Sequence, residues 1–548
     1  MKHSFIDILR KPDSILFQFE DSNIRFEEAD GREEQNARID FCKEDGALDI
    51  TLYPSERPIK RIKLRWRGDM SDCLLITGDA LERLYASTMG HVSGKAMSSP
   101  VWTGMIPDRN LPWYFQVYDG EKLNCFGVKT GADAFCTFQC DESGITLWLD
   151  VRNGGGGVRL TEPLMVAKVV CREGNTEETP FEASRTFCRQ MCDNPILPKE
   201  PIFGVNNWYW AYGNISHKSV MEETDNLLDM CTDAVVKPYM IIDDGWQKSR
   251  YRSRRHSAGY NGGPWDVTGS GFNSMAETAH CIHEKGAKAG IWFRPLLTSE
   301  QFPAECEGPV LRNKTGINLD PSHPEVLRKV YEDTAMIRSW GYELIKHDFT
   351  TIDTISIKNA EDGDWHFYDK TITNATMLKN LYKTIQTAAG EADVIGCNTV
   401  GHLTAGIHSV SRAAEDTSGR YFEYTRLNGC ASYIRLPQNN TFFSFDPDCA
   451  AFTENVPFKE NLDFLELAAI TGSTTLASAV PGILKGEDLK RIRKIFKIAS
   501  EGGLGAVPTD WLGHNITSKY VSENGENFNY DWYSYYDGIR SFYTWYDD

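Results

Sequence analysis

Asp348 and Asp416 are the carboxylates in this chain whose settings best suit chemistry. Asp348 ends the apolar stretch of GYELIKHDFT, and Asp416 follows HSVSRAAE. A carboxylate is anionic at neutral pH and is a competent leaving group. It also stabilises an oxocarbenium-like centre, so it can attack an anomeric carbon. A second carboxyl can protonate the departing oxygen and then activate water. The pair therefore points to glycosidic bond cleavage, with Asp348 as nucleophile and Asp416 as acid and base. Glu415 is a rival for the second role that spacing does not separate. The plain alternative is a strand-end surface pair at Asp348 and an i,i+4 surface ion pair between Arg412 and Asp416.

Other residues gather around these two. Lys346 lies two before Asp348, so both side chains leave the same side of a strand. Its ammonium would favour the ionised carboxylate and could donate to sugar hydroxyls. Arg412 lies four before Asp416 and shares its face if that stretch is a helical turn. Asp243 and Asp244 end the apolar run MII, where two carboxylates lose solvation and repel each other. Sugar hydroxyls would offset this. A metal would too, but no third oxygen ligand stands nearby, so neither metal nor cofactor is expected. Trp208, Trp210, Trp246 and Trp292 each end or follow a strand and could wall a sugar pocket, although at least one should be core. Asn398, at the end of DVIGCN, is a further candidate to touch substrate.

Strands must deliver these groups to a common mouth. Apolar runs at FGVNNW, YMIIDD (239–244), AGIWF (289–293), YELIKHD (342–348), EADVIGCN, GIHSVS (406–411), TFFSFDPD (441–448) and TLASAV each end in polar residues. Amphipathic stretches alternate with them: 216–232 opened by Ser216, one ended by Gly286, one ended by Gly341, one over NATMLKNLYKTIQTAA, and one over 459–470. This alternation predicts a (β/α)8 TIM barrel over 200–500, with the site at the carboxyl ends of its strands. NNWYWAYGN lacks the glycine fingerprint of a doubly wound dinucleotide fold.

Residues 1–195 read as an all-β sandwich, with short alternating strands separated by turn signals. Gly154–Gly157 is a loop without the Lys-Ser/Thr of a phosphate loop. Residues 193–198 form a rigid polar connection. Residues 501–548 read as a small antiparallel β domain, with a hairpin in the aromatic tail. The excursion 349–372 borders the cleft, where Trp365 and His366 either touch substrate or anchor the loop.

Composition narrows the partners. The chain has 548 residues, with Lys+Arg 58 against Asp+Glu 77 and a net charge of −19. So acidic a surface repels nucleic acid and anionic membranes. No apolar run approaches the length of a membrane span, and MKHSFIDILRKPDS does not read as a signal segment. The 14 cysteines are scattered and read as reduced thiols, which fits a cytoplasmic location.

Five motifs carry a resemblance: MIIDDGWQ, AGIWFRP, LIKHD, SRAAED and FDPDC, in that order. The chain resembles the α-galactosidase clan of retaining glycoside hydrolases (families 27, 31 and 36), above all the family 36-like α-galactosidases. The resemblance implies Asp348 as nucleophile and Asp416 as acid/base. It also implies sugar binding by Asp243, Asp244, Lys346 and Arg412. Before the acid/base, GCNTVGHLTAG replaces the glycine-rich stretch of family 36 and is closer to family 27. The implied activity is hydrolysis of terminal α-D-galactosides, with an oligosaccharide or glycoside substrate and a possible homo-oligomer. The same mechanism on an α-N-acetylgalactosaminide, a β-L-arabinopyranoside or an α-glucoside is the alternative, as is transglycosylation. A non-catalytic carbohydrate-binding barrel is a third reading, which the presence of both carboxylates disfavours.

Overall fold

Eight short apolar runs in the middle of the chain form parallel strands, and almost every residue in them is buried. Parallel strands covered on both faces should be largely apolar, and most of these are, with polar residues such as Lys346, Arg412 and Asp446 toward the carboxyl ends. The computed structural model describes residues 5–21, 27–28, 37–83, 101–103, 110–248, 260–309, 316–355, 363–513 and 516–532.

Strands one to six are Phe203–Asn206, Tyr239–Ile242, Lys288–Phe293, Leu344–His347, Asp393–Gly396 and Val410–Arg412. Each pairs in parallel with the next. Strand seven is broken. Its first half, Ser444–Asp446, pairs with strand six, and its second half, Ala450–Phe452, pairs with strand eight, Thr475–Ala479. Strand eight pairs in turn with strand one, so the sheet curls round into a TIM barrel. The break falls at Asp448, whose φ of 75° is left-handed.

Helices cover the outside. His217–Met230 starts at a Ser216 capping box, Met275–Lys285 ends at left-handed Gly286, and Pro324–Ser339 and Asn374–Ala389 follow strands three and four. Phe458–Ile470 follows strand seven, and Gly486–Ser500 follows strand eight. Sequence periodicity did not single out that last helix. It also left the connection between strands six and seven unassigned, where Phe422–Gln438 is helical with a π and a 3-10 segment. Strand six begins later than expected and carries Arg412 as its last residue.

The N-terminal region holds a six-stranded and a seven-stranded antiparallel sheet. They pack through large aromatics, with Phe115 of one sheet 5.4 Å from Phe138 of the other. Among the described residues the all-β expectation misses helix Pro180–Met191. Its signal is local: Thr179 and Glu182 form a capping box and Pro180 occupies the first turn. A three-stranded sheet of Val507–Pro508, Lys519–Val521 and Asn527–Asn529 closes the described chain. It packs on the barrel through Trp511, whose indole donates to the Ile434 carbonyl at 2.9 Å. The expected tail hairpin lies mostly outside the described residues.

The N-terminal sheets lie tightly on the barrel. Trp113 stacks on His402 at 4.7 Å. Gly154–Gly156 cradle the excursion after strand four: Gly155 and Gly156 donate backbone N–H groups to the Trp365 carbonyl at 3.0 and 3.2 Å. His366 Nε2 lies 2.9 Å from Glu20 Oε1. Trp365 and His366 thus anchor the loop to the N-terminal region.

Candidate active site

Strand four places Asp348 one residue beyond its end. The Asp348 N–H still donates to the Phe293 carbonyl of strand three at 3.1 Å, which fixes the carboxylate's height at the mouth. The chain then turns sharply, because Phe349 has a φ of 63° and its N–H donates back to Asp348 Oδ1 at 2.7 Å. Trp292 Nε1 donates to Asp348 Oδ2 at 3.2 Å. Burial acts to raise the pKa of this carboxyl. The charges of Arg83 and Lys346 and these two hydrogen bonds outweigh it and hold the pKa below its ordinary value.

Lys346 points into the same mouth, but its direct bond is to Asp243 Oδ2, at 2.8 Å, rather than to Asp348. Asn206 Nδ2 donates to the same oxygen at 2.7 Å, and the Asp243 N–H donates to Asn207 Oδ1 at 2.9 Å. Protein partners therefore already offset the Asp243 charge. Asp244 has less support. Gln247 Nε2 donates to it at 2.6 Å. Burial still pushes its carboxyl up to about 7, the Gln247 bond working against this and the neighbouring Asp243 charge adding to it.

Asp416 stands opposite in the sequence logic, after strand six. Arg412 reaches it at 2.9 Å, as the i,i+4 spacing suggested. No helical turn makes this contact; strand six ends at Arg412 and an irregular bend carries Asp416 back over it. Half of the Asp416 side chain is accessible (51%), while Arg412 is sealed beneath it at 1%. Crowding by protein nevertheless raises the Asp416 pKa, Arg412 opposes the rise, and Asp448 and Glu415 add to it. These observations agree if the carboxyl lies on a cleft floor, wet through the mouth and walled elsewhere. The two candidate carboxyls are thus shifted in opposite directions.

Asp448, which was not picked from sequence, organises this side. It accepts from Arg412 and Tyr209 Oη, and from the Thr417 N–H at 2.8 Å. The left-handed break in strand seven aims it there. Arg83 is a second omission. It comes from the N-terminal region and lies 3.6 Å from Asp416 and 3.2 Å from Glu415. No local signal marks it, because only the packing of the N-terminal sheets on the barrel brings it to the mouth.

The tryptophans divide. Trp208 is half-buried beside Tyr212. Trp292 braces Asp348. Trp246 is fully buried among Trp265 and Trp340, and its indole donates to the Trp292 carbonyl at 2.8 Å. It is core, which corrects its reading as a pocket wall. Trp210 donates to Glu223 Oε1 at 2.9 Å. Asn398 is also buried. Its amide oxygen accepts from Thr351 Oγ1 (2.7 Å) and the Ile352 N–H (3.0 Å), and its nitrogen donates to Glu82. It ties the loop after strand four to the N-terminal region rather than facing the mouth. Among the described residues no cluster of three His, Cys, Asp or Glu side chains could hold a metal ion.

No protein-family model matches the chain. A search of the solved structures finds α-galactosidase from Thermus thermophilus in complex with p-nitrophenyl α-D-galactopyranoside. It has a TM-score of 0.59 and 14% identity, over 90% of this chain and 96% of that one. The fold is that of the α-galactosidases. In sequence, the chain is 25% identical over 164 residues to α-galactosidase A of Cellvibrio japonicus, covering 30% of this chain and 34% of that enzyme. It is 24% identical over 148 residues to a bifunctional α-galactosidase/sucrose kinase of Mediterraneibacter gnavus, covering 25% of this chain and 15% of that protein. These matches span about a third or less of the length of either relative.

Proposed function

We propose that this protein is a retaining exo-α-galactosidase, which releases terminal non-reducing α-D-galactose by double displacement. One observation carries the reading. Two carboxylates stand just past the ends of strands four and six at one barrel mouth, Asp348 fixed by the Phe293 carbonyl and Asp416 held by Arg412 and Arg83, and their surroundings favour the anion at Asp348 and the acid at Asp416. Asp348 attacks the anomeric carbon while Asp416 protonates the leaving oxygen. Asp416, now ionised, then takes a proton from water as that water displaces Asp348. Asp244, pushed up to about 7 and so partly protonated near neutrality, can donate to a sugar oxygen, and Asp243 with Lys346 can receive and donate beside it. Trp208 is the remaining candidate for a flat sugar-facing surface.

The likeness to α-galactosidases in both sequence and fold supports galactose as the sugar. The same Thermus enzyme in complex with stachyose is also similar in fold to this chain, with a TM-score of 0.55 and 15% identity over 84% of this chain and 99% of that one, which supports an oligosaccharide as substrate. The fourteen cysteines are all free thiols, most of them buried, in keeping with the cytoplasm. The three sheet systems support a division into 1–195, 200–500 and 501–548.

The test is a panel of aryl glycosides given to the wild type and to Asp348→Ala. Release from the α-galactoside, reduced at least about a thousandfold by the substitution, is expected. NMR should show the α-anomer of galactose as the first product. Release only from another glycoside would keep the mechanism and reject the sugar. A β-anomer would reject retention.

A further inference from the structure

The strand Leu75–Gly78 belongs to the seven-stranded N-terminal sheet, yet the chain beyond it runs onto the barrel mouth. Three ties hold that crossing. Asp79 is an ion-pair partner of Arg435 at 2.7 Å and accepts from Gln438 Nε2 at 2.9 Å, with both charged side chains buried. The Leu81 carbonyl accepts from the Trp113 indole at 2.8 Å. Glu82 accepts from Asn398, at the end of strand five. The result is a buried Arg83, 5% exposed, that meets Glu415, Asp416 and, at 3.9 Å, Cys397 Sγ. Arg412 approaches the same sulfur at 3.5 Å from the other side.

A buried guanidinium needs such a set of partners to offset its lost hydration. Five residues of irregular chain would not hold it there by themselves. We infer that Arg83 is a positioning residue of the hydrolytic site, supplied by the N-terminal sheet, that holds the Glu415–Asp416 bend against the end of strand five. This rests on the glycosidase reading above. Its positive charge also contributes to the lowered pKa of Asp348, beside that of Lys346. Among the described residues the charged and titratable groups in contact with it are Glu82, Glu415, Asp416 and Cys397; Arg412 shares Cys397 and Asp416 with it, and Asp348 feels its charge. Losing Arg83 removes one of the two cations acting on the nucleophile.

Arg83→Met and Arg83→Lys are compared with the wild type on whichever aryl glycoside the wild type cleaves. Which glycoside that is tests the proposed sugar; the ratio of variant to wild type tests Arg83. The Met variant should lose about tenfold or more in kcat, and the acid limb of its kcat/KM profile should move up by about one pH unit. The Lys variant should restore the acid limb and recover kcat only in part, since an ammonium cannot reproduce the planar contacts. A Met variant that melts earlier but keeps the wild-type kcat and acid limb would overturn the inference and leave the galactosidase reading intact. A folded wild type silent on every glycoside would overturn both.

Discussion

A carboxyl held below its ordinary range and another held above it define a working pH window, and each limb belongs to one residue. Asp348 must be ionised to attack. Its lowered pKa keeps it so until the pH drops well into the acid range, so kcat/KM should fall as pH drops through that value. Asp416 must be protonated to act. Its raised pKa extends that form upward, so kcat/KM should fall as pH rises through it. Asp416→Ala should abolish the alkaline limb and cost about 100- to 10,000-fold on substrates with poor leaving groups. An aryl galactoside with an activated phenol should be spared much of that loss. A pH profile of wild type and variant on both substrates checks this, and an unchanged alkaline limb would move the role to Glu415. Asp348, Asp416, Lys346 and Arg412 were legible as residues because each ends or follows an apolar run. Trp246 and Asn398 sit at equivalent positions in the sequence pattern, yet their side chains are consumed by the protein. Pattern gives the height of a residue along a strand. It does not tell whether the side chain beyond the strand turns to the mouth or into the core.

At the scale of elements, loops do as much as strands to build the site. The described residues of the excursion after strand four carry no helix or strand and are held by the glycine-rich loop of the N-terminal region. Gly154 has a φ of 60°, and a Cβ there would lie 2.6 Å from the Trp365 carbonyl oxygen. Gly154→Ala therefore meets both backbone strain and a backbone atom that cannot swing aside. It should destabilise the protein by about 1–3 kcal/mol, read as a lower urea midpoint or melting temperature. Wild-type stability would show that the cradle yields. The broken seventh strand is a second case. TFFSFDPD reads as one strand, but Asp448 interrupts it in a left-handed conformation and so turns its carboxylate onto Arg412, Tyr209 and Thr417. Aspartate tolerates that region better than most residues, but nothing in the run demands it.

The whole molecule is one assembly in which the N-terminal sheets are part of the barrel's structure. Asp79 and Arg435 link them through a buried ion pair, with side chains 1% and 4% exposed. Removing one partner strands the other charge in the interior. Asp79→Ala should cost about 3–5 kcal/mol, and activity should fall further than folding does, because the 79–83 crossing loses its anchor. Asp79→Leu with Arg435→Met should regain most of the stability, since apolar pairs of similar volume replace such bridges well. Chemical denaturation beside kcat, on the same preparations, separates the two effects. Equal stability of Asp79→Ala and wild type would mean that the sheets rest on the barrel without this link. The net charge of −19 in the sequence acts at this scale too, on solubility and on which partners approach, and says nothing about the fold.

The sequence by itself determined the barrel's strands, most of its covering helices and its two candidate carboxylates. Hydrophobic period, capping residues and terminating glycines are local, and a parallel strand buried on both faces must be an apolar run. The two carboxylates, the Lys346 side of strand four and the Arg412–Asp416 contact follow from spacing along one chain segment. Only the tertiary structure decided that Lys346 bonds Asp243, that Asp448 grips Arg412, and that Arg83 and Asn398 meet through Glu82. Those contacts join residues dozens to hundreds of positions apart, and no period or spacing encodes them. They arise from how one sheet system packs on another, and there they set which side chains reach the mouth and in what state of charge.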